Sequence, residues 1–114
     1  MISGIGCDIL NLKHFEEIFK SFPKLLNKVF SPKEIIEYQN RNHDIKYLAS
    51  RFALKEAIFK ALKEYHFDFN TIEILNDEFG APYVNFLEKA KYNVNVSLSY
   101  EQEYIIAIAT ISTL

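Results

Sequence analysis

The stretch RFALKEAIFKAL, residues 51–62, decides the fold because it predicts a long buried helix. It is rich in Ala, Leu, Lys and Glu and contains neither Gly nor Pro, a composition typical of helices. Apolar residues lie on nearly every side of that helix, as expected for an element in a protein interior. Lys55 and Glu56 interrupt this apolar surface, and charges are rarely buried unless they are paired or bound. The pattern therefore predicts a compensating partner or ligand beside them.

Length and composition favour one soluble globular domain that spans residues 1–114. Hydrophobic residues make up 49% and charged residues 25%, and the formal net charge of −2 argues against a nucleic-acid-binding protein. The single cysteine, Cys7, allows no disulfide framework within the chain, which favours a reducing, cytoplasmic setting. No apolar run approaches the roughly 18 residues of a membrane span. We therefore expect no membrane segment. We also expect no signal peptide, because the N-terminus lacks a basic n-region and Asp8 interrupts its apolar run.

The remaining sequence predicts an α+β fold in which the long central helix packs against a small antiparallel sheet. Helix starts are marked by Asn11, by Ser31 with Glu34 three residues later, and by Asp44. Alternating or continuous apolar residues predict strands before and after the helices. The predicted helices cover residues 12–22, 32–40 and 45–65, and the predicted strands cover 2–10, 71–75, 81–86, 94–99 and 104–111.

The charges around Glu56 allow two interpretations. Glu56 and Lys60 are one helical turn apart, and an ordinary surface pair at this spacing contributes a few tenths of a kcal/mol. Alternatively, Lys55, Lys60 and Lys63 surround Glu56 among aromatic residues and form a site for an anionic ligand, of which phosphate is the commonest. The pattern alone leaves both interpretations open.

Asp8 is the second charge that needs an explanation, because it interrupts the predicted strand GIGCDIL, residues 4–10. It either caps the helix that follows this strand or pairs with Glu56 to bind a hard cation such as Mg²⁺. Two carboxylates with lysines nearby are the minimum set for metal-assisted phosphate chemistry. Sequence spacing does not show whether Asp8 and Glu56 meet in space.

Five segments together carry a resemblance to a known family: GIGCDIL, FSPKE, YLASRFALKEAIFKAL, EFGAPYV and VSLSYEQEYIIAIATI, at residues 4–10, 30–34, 47–62, 78–84 and 96–111. These five segments resemble those of the holo-[acyl-carrier-protein] synthases, the small bacterial type of 4′-phosphopantetheinyl transferase. Two of them, matching GIGxDI and RFAxKEAxxKA, carry most of the specificity. They occur in the family's order and with comparable gaps, so the resemblance runs from the first predicted strand to the last.

The resemblance implies an enzyme that transfers the phosphopantetheine arm of coenzyme A to a serine hydroxyl of acyl carrier protein. This Mg²⁺-dependent reaction releases adenosine 3′,5′-bisphosphate and supports fatty acid biosynthesis. By resemblance, Asp8 and Glu56 are the Mg²⁺ ligands, and Lys55 lies near the reacting phosphate or the leaving group. Asp8, Glu56 and a metal-bound water all remain candidates for the base that takes the serine proton.

The resemblance also implies a set of residues that bind coenzyme A. Two positions depart from the family. Tyr100 follows Ser99 where the family commonly has His, and Ala81 stands where it commonly has a basic residue. Both departures bear on the affinity for coenzyme A more than on the type of reaction. The implied set is Arg51, Lys60, Lys63, Gly80, Pro82, Ser99 and Tyr100.

Association is the last property that the resemblance implies. The family forms homotrimers with active sites between subunits, which fits a final strand, residues 104–111, that is apolar on both faces. Acidic carrier proteins dock on basic residues of the first helix. Here Lys13 and Lys20 are present, but His14 stands where the family often has Arg, which predicts weaker or pH-dependent docking.

Two other classes of function compete with the transferase. One is a non-catalytic module that binds coenzyme A or a carrier protein and keeps the fold. The other is a structural oligomer whose aromatic and Ile-rich surfaces serve only association. The presence of both Asp8 and Glu56 favours the transferase, because pure binding has less need of a metal.

Overall fold

The computed structural model describes residues 1–63, 67–86 and 92–113, and its mixture of helices and antiparallel strands confirms the predicted α+β fold. The last residues of the predicted long helix, 64–65, lie outside the described residues. No described helix is long and apolar enough to cross a membrane. The elements are β1 (Ile2–Asn11), α1 (Leu12–Ser21), α2 (Leu25–Val29), α3 (Pro32–Asn40), α4 (Ile45–Leu62), a 3-10 turn (Phe69–Thr71), β2 (Ile72–Asn76), β3 (Pro82–Phe86), β4 (Tyr92–Glu101) and β5 (Tyr104–Thr113).

The strands form two antiparallel sheets where the sequence predicted one. The larger sheet has the order β1–β5–β4, and the smaller one pairs β2 with β3. The long helix α4 packs on one face of the larger sheet, against β1 and β5. Small residues on both surfaces, including Ala57 of the helix and Ala107 and Ala109 of β5, are fully buried there. The short helix α2 and the 3-10 turn were not predicted.

All three predicted helix starts are confirmed by hydrogen bonds. The Asn11 side chain accepts a hydrogen bond from the His14 N–H at 3.1 Å. Ser31 and Glu34 cap α3 reciprocally, and the Asp44 side chain accepts from the N–H of Lys46 at 3.0 Å. Since Asn11 caps α1, the interpretation of Asp8 as the cap of that helix is wrong.

Two glycines of β1 allow α4 to lie directly on the strand. Gly4 and Gly6 are buried, and a Cβ atom on either one would overlap a carbonyl oxygen of α4, that of Ala61 or of Ala57. A larger residue at either position would therefore push the helix away from the strand. This close approach brings the side chains at the C-terminal half of β1 to the second half of α4.

We expect the substitution Gly6→Ala to lower the free energy of unfolding by about 1–3 kcal/mol, because its methyl group overpacks the β1–α4 contact. Urea denaturation of the wild type and the variant measures the difference. Glu17→Ala, on the exposed surface of α1, is the control and should stay within about 0.5 kcal/mol of the wild type. A Gly6→Ala variant as stable as this control would contradict the close packing.

Candidate functional site

Asp8, Glu56 and Lys60 form a cluster where β1 faces α4. The Lys60 Nζ atom lies 3.2 Å from Asp8 Oδ1 and donates a hydrogen bond to the Cys7 carbonyl oxygen at 3.0 Å. Glu56 precedes Lys60 by one helical turn on the same side of α4. Burial, and then the charge of Asp8, raise the pKa of Glu56, while Lys60 acts in the opposite direction. The structure thus brings together the two carboxylates that sequence spacing could not join.

The chemistry of this cluster suits a hard cation. Burial and the neighbouring carboxylate of Asp8 raise the pKa of Glu56, so a positive charge between the two carboxylates is favourable. Mg²⁺ takes one or two carboxylates together with waters and substrate phosphates. No group of three or more His, Cys, Asp or Glu side chains that could hold a metal occurs among the described residues. A Mg²⁺ site that substrate phosphates complete needs no third protein carboxylate. Asp8 and Glu56 therefore remain the residues we expect to hold the metal.

Lys55 is not part of this cluster, which corrects its assignment to the reacting phosphate. Its side chain has zero exposure, and its ammonium group donates to Glu34 Oε1 at 2.5 Å and to the carbonyl oxygens of Val29 and Phe69 at 2.7 and 2.8 Å. Burial lowers the pKa of Lys55, and the carboxylate of Glu34 opposes this shift. Three acceptors use all three N–H donors of the ammonium group. The partner that the sequence pattern required is therefore Glu34, and Lys55 is a structural residue.

Glu34 joins three elements through this buried pair. Its Oε1 atom also accepts from the Ser31 N–H at 2.9 Å, and its Oε2 atom accepts from the Ile74 N–H of β2 at 3.0 Å. The Ser31 hydroxyl in turn donates to the buried carboxylate of Glu73 at 2.8 Å. A residue predicted only as a helix cap therefore holds α3, α4 and β2 together.

Four of the predicted coenzyme A residues line one pocket, with a volume of about 270 Å³, between the start of α4, the β2–β3 turn and β4. We call it the Arg51 pocket. Arg51, Gly80, Pro82 and Tyr100 are the predicted residues on its wall. The sequence analysis missed other residues of the wall, among them Arg41, Lys46, Tyr47, Ser50 and Asn76. Helical spacing could have revealed some of them, because Lys46 and Ser50, like Tyr47 and Arg51, are four residues apart on α4.

Arg51 is held rigidly in the pocket wall. Its Nε atom donates to the Ile74 carbonyl oxygen at 3.2 Å, and its Nη atoms donate to Ser50 Oγ at 3.2 Å and Asn76 Oδ1 at 2.5 Å. The guanidinium carbon lies 4.5 Å from the centroid of the Tyr47 ring, and the residue is only 4% exposed. Arg51 therefore contributes positive charge and stiffness to the wall.

A tight turn places Gly80 and Pro82 at the mouth of the pocket. The Asp77 Oδ1 atom accepts hydrogen bonds from the N–H groups of Phe79 and Ala81, both at 2.9 Å. Gly80 has a φ of 83°, which favours glycine at this position. The backbone of the turn, and not a basic side chain at Ala81, thus borders the pocket.

Two of the predicted coenzyme A residues, Ser99 and Lys63, belong neither to the cluster around Asp8 nor to the Arg51 pocket. Ser99 lies on the opposite face of β4 from Leu98 and Tyr100, which both line the pocket, because successive strand side chains alternate. Ser99 therefore does not line the pocket within one chain, and its contact with coenzyme A stays a prediction. Lys63 is exposed at the C-terminal end of α4 and makes no hydrogen bond or ion pair with a described residue.

Comparison with known proteins identifies similar chains over the whole length. Residues 4–109 match the family model described as the 4′-phosphopantetheinyl transferase superfamily. The chain is 35% identical over 123 residues to the holo-[acyl-carrier-protein] synthase of Clostridium botulinum (strain Eklund 17B / Type B), with all of both chains covered. The crystal structure of the Neisseria meningitidis holo-[acyl-carrier-protein] synthase is similar with a TM-score of 0.88 and 30% identity, over 99% of this chain and 100% of that one. A Bacillus anthracis holo-(acyl-carrier-protein) synthase in complex with CoA (3′,5′-ADP) gives a TM-score of 0.84 and 28% identity, over 100% and 99% of the two chains.

Proposed function

We propose, from the premise that this chain belongs to the 4′-phosphopantetheinyl transferase superfamily, that it transfers 4′-phosphopantetheine from coenzyme A to a serine hydroxyl of an acyl carrier protein. The reaction releases adenosine 3′,5′-bisphosphate. The observation that carries the proposal is the contact of Lys60 with Asp8 beside Glu56, because it joins the strand motif to the helix motif. The Bacillus anthracis relative with CoA supports coenzyme A as the substrate.

The cluster supplies what attack on a pyrophosphate requires. A bond forms between the serine oxygen and the phosphorus that carries the pantetheine arm, and the bond from that phosphorus to the oxygen of the adenosine 5′-phosphate breaks. Asp8 and Glu56 would hold Mg²⁺, which when bound supplies positive charge at the pyrophosphate. Lys60, whose side chain is 53% exposed, is accessible to the phosphate oxygens and stabilises the negative charge of the leaving group. Asp8 and Glu56 are the candidate protein acceptors for the serine proton.

We assign the nucleotide part of coenzyme A to the Arg51 pocket. Arg41, Lys46 and Arg51 give its wall three positive charges, against the single carboxylate of Asp44. The exposed ring of Tyr100 offers a surface on which an adenine base can stack. The positive charges of the wall and the exposed aromatic ring thus both favour an anionic nucleotide.

The positions of the cluster and the pocket support a homotrimer with active sites between subunits. Arg51 and Glu56 are five residues apart on α4, so their side chains point about 140° apart around the helix axis. One chain therefore presents the two groups on different sides of α4. The outer face of the larger sheet exposes Ile5, Ile9 and Ile108 by 66, 64 and 44%, an apolar surface suited to a subunit contact. Sedimentation equilibrium that finds only monomers would contradict this arrangement.

The two lysines of α1 that could attract an acidic carrier protein both lie close to carboxylates of this chain. Lys20 pairs with Glu16 at 3.1 Å, and Lys13 lies 3.5 Å from Glu103. His14 is exposed on the same helix and is therefore accessible to an acidic carrier. The pH dependence of docking stays a prediction, which titrating carrier affinity against pH would test.

We also propose a pathway and a cellular compartment for the reaction. We assign the modified carrier to fatty acid biosynthesis, which the acyl carrier protein in the names of the relatives supports. We place the enzyme in the cytoplasm, because its single cysteine is a free thiol exposed on β1.

Intact-mass spectrometry of an apo acyl carrier protein incubated with this protein, coenzyme A and Mg²⁺ tests the proposed function. We expect the carrier to gain the mass of one phosphopantetheine, and to gain none with the Glu56→Ala variant or with a chelator. If several carriers show no gain while coenzyme A still binds, the chain is the non-catalytic binding module instead. Calorimetry with coenzyme A, run in parallel, separates these outcomes.

A further inference from the structure

Lys46 differs from the two arginines of the Arg51 pocket because its charged group has no hydrogen-bond acceptor among the described residues. Each nitrogen of the Arg51 guanidinium donates one hydrogen bond to a neutral acceptor of the protein, and Arg41 Nε donates to Glu37 Oε1 at 2.8 Å. The carboxylate of Asp44 accepts from the backbone N–H of Lys46 at 3.0 Å. The Lys46 ammonium group makes no hydrogen bond or ion pair within the described part of the chain. Its N–H donors therefore remain available to a ligand.

Tyr100 holds this ammonium group at the pocket. The Lys46 Nζ atom lies 4.3 Å from the centroid of the Tyr100 ring, within the range of a cation–π interaction. Both residues line the pocket, and the ring is 44% exposed. The contact restricts where a long, flexible side chain places its charge, while the side of the ammonium group that faces away from the ring stays open.

The stability of α4 does not explain a lysine at this position. Lys46 is in the first turn of the helix, where the backbone N–H groups carry partial positive charge and acidic residues are favoured. An anion bound in the pocket would reverse this disadvantage, because it would interact favourably with both the helix start and the ammonium group. The position thus points to a negatively charged ligand.

Coenzyme A offers two kinds of phosphate, a pyrophosphate and a 3′-phosphate on the ribose. Under the proposed function, the pyrophosphate belongs with Asp8, Glu56 and Lys60, which lie on a different side of α4 from the Arg51 pocket. The 3′-phosphate is then the group left for Lys46. As a monoester it carries close to two negative charges at neutral pH, which a lysine binds as a point charge.

We propose that Lys46, positioned by the ring of Tyr100, contacts the 3′-phosphate of coenzyme A and makes the enzyme select against dephospho-coenzyme A. This inference rests on the proposed function. It identifies a specificity-determining residue that the sequence analysis missed, and it gives Tyr100 a role as the support for a cation.

Isothermal titration calorimetry with coenzyme A and with dephospho-coenzyme A tests the assignment. The substitution Lys46→Gln removes the charge and keeps most of the side-chain length, and we expect it to weaken coenzyme A binding about tenfold. Binding of dephospho-coenzyme A should change less than about twofold, because it has no 3′-phosphate for Lys46 to contact. Lys33→Gln removes the same charge from an exposed position of α3 outside the pocket and should change neither affinity.

Two variants of Tyr100 test the support given by the ring. Tyr100→Phe keeps an aromatic face and should keep the ratio of the two affinities. Tyr100→Leu removes that face and should lower the ratio about threefold, because Lys46 loses the contact that orders it. Circular dichroism checks that every variant is folded before its affinity is compared.

Each unfavourable outcome identifies what has failed. If the wild type binds coenzyme A but Lys46→Gln weakens both ligands equally or neither, only the assignment of Lys46 is overturned. If Tyr100→Leu keeps the full ratio, the ring does not position Lys46. If the wild type does not bind coenzyme A at all, the proposed function fails, and the assignment of Lys46 falls with it.

Discussion

The substitution Glu56→Gln is expected to lower kcat/KM for phosphopantetheine transfer by about a hundredfold or more, while the fold stays intact. Gln has nearly the same shape as Glu but removes one of the two carboxylates expected to hold Mg²⁺. In the folded chain, burial and Asp8 raise the pKa of Glu56, so the ionised carboxylate opposes folding at neutral pH. The neutral amide should therefore leave the metal-free protein as stable as the wild type or slightly more stable. The mass gained by the acyl carrier protein measures the activity, and thermal unfolding measures the stability of each variant.

Thermal unfolding with and without Mg²⁺ separates loss of the metal site from loss of structure. Mg²⁺ should raise the Tm of the wild type, because a ligand that binds only the folded state stabilises it, and should raise the Tm of Glu56→Gln much less. Glu78→Gln makes the same chemical change at an exposed position of the β2–β3 turn and should keep the wild-type response. A Glu56→Gln variant that retains activity and the full Mg²⁺ response would show that Glu56 is not a metal ligand.

The substitution Lys55→Met is expected to lower the free energy of unfolding by about 3–5 kcal/mol. The variant would leave the Glu34 carboxylate with neither its ion pair nor water, because both side chains have zero exposure. The carbonyl oxygens of Val29 and Phe69 would also lose a donor. Urea denaturation of the purified variants measures this loss.

A double-mutant cycle with Glu34→Gln shows whether the two residues act as a pair. In the Lys55→Met background, Glu34→Gln should restore part of the stability, because it removes the uncompensated charge. Lys28→Met, at an exposed position of α2, is the matched control and should stay within about 0.5 kcal/mol of the wild type. A Lys55→Met variant with wild-type stability but no transfer activity would overturn the structural assignment and return Lys55 to the catalytic site.

Local sequence patterns were sufficient for most of the fold. The caps at Asn11, Ser31 and Asp44 involve residues within three positions of each other, so their hydrogen bonds can be read from the chain. The division of the strands into two sheets depends on pairing between distant segments, which no local pattern contains. The helix α2 has only five residues, too few for a recognisable period.

The functional site shows the same difference: local motifs predicted some of its residues, whereas contacts between distant segments were not predicted. The resemblance assigned Asp8, Glu56 and Lys60 to one site, and the structure places Lys60 against Asp8, but the motifs could not distinguish Lys55 from Glu56, its neighbour on the helix. The partner of Lys55, Glu34, is 21 residues away in the sequence. Its role as a helix cap already explained its presence, so nothing in the sequence indicated a pairing with Lys55. The sequence could have predicted that Ser99 and Tyr100 lie on opposite faces of the strand, because successive strand residues alternate between faces.

The buried pair of Glu34 and Lys55 also constrains how this chain can evolve. Replacing either residue alone leaves a charge enclosed without a counterion, so each single step passes through a less stable protein. The two positions should therefore be inherited together or replaced together, a case of strong epistasis between α3 and α4. Lys60 and Asp8 form a partly exposed pair, for which water can compensate a lost partner, so under the proposed function selection there would act through catalysis. Folding and chemistry thus restrict different lysines of the same helix.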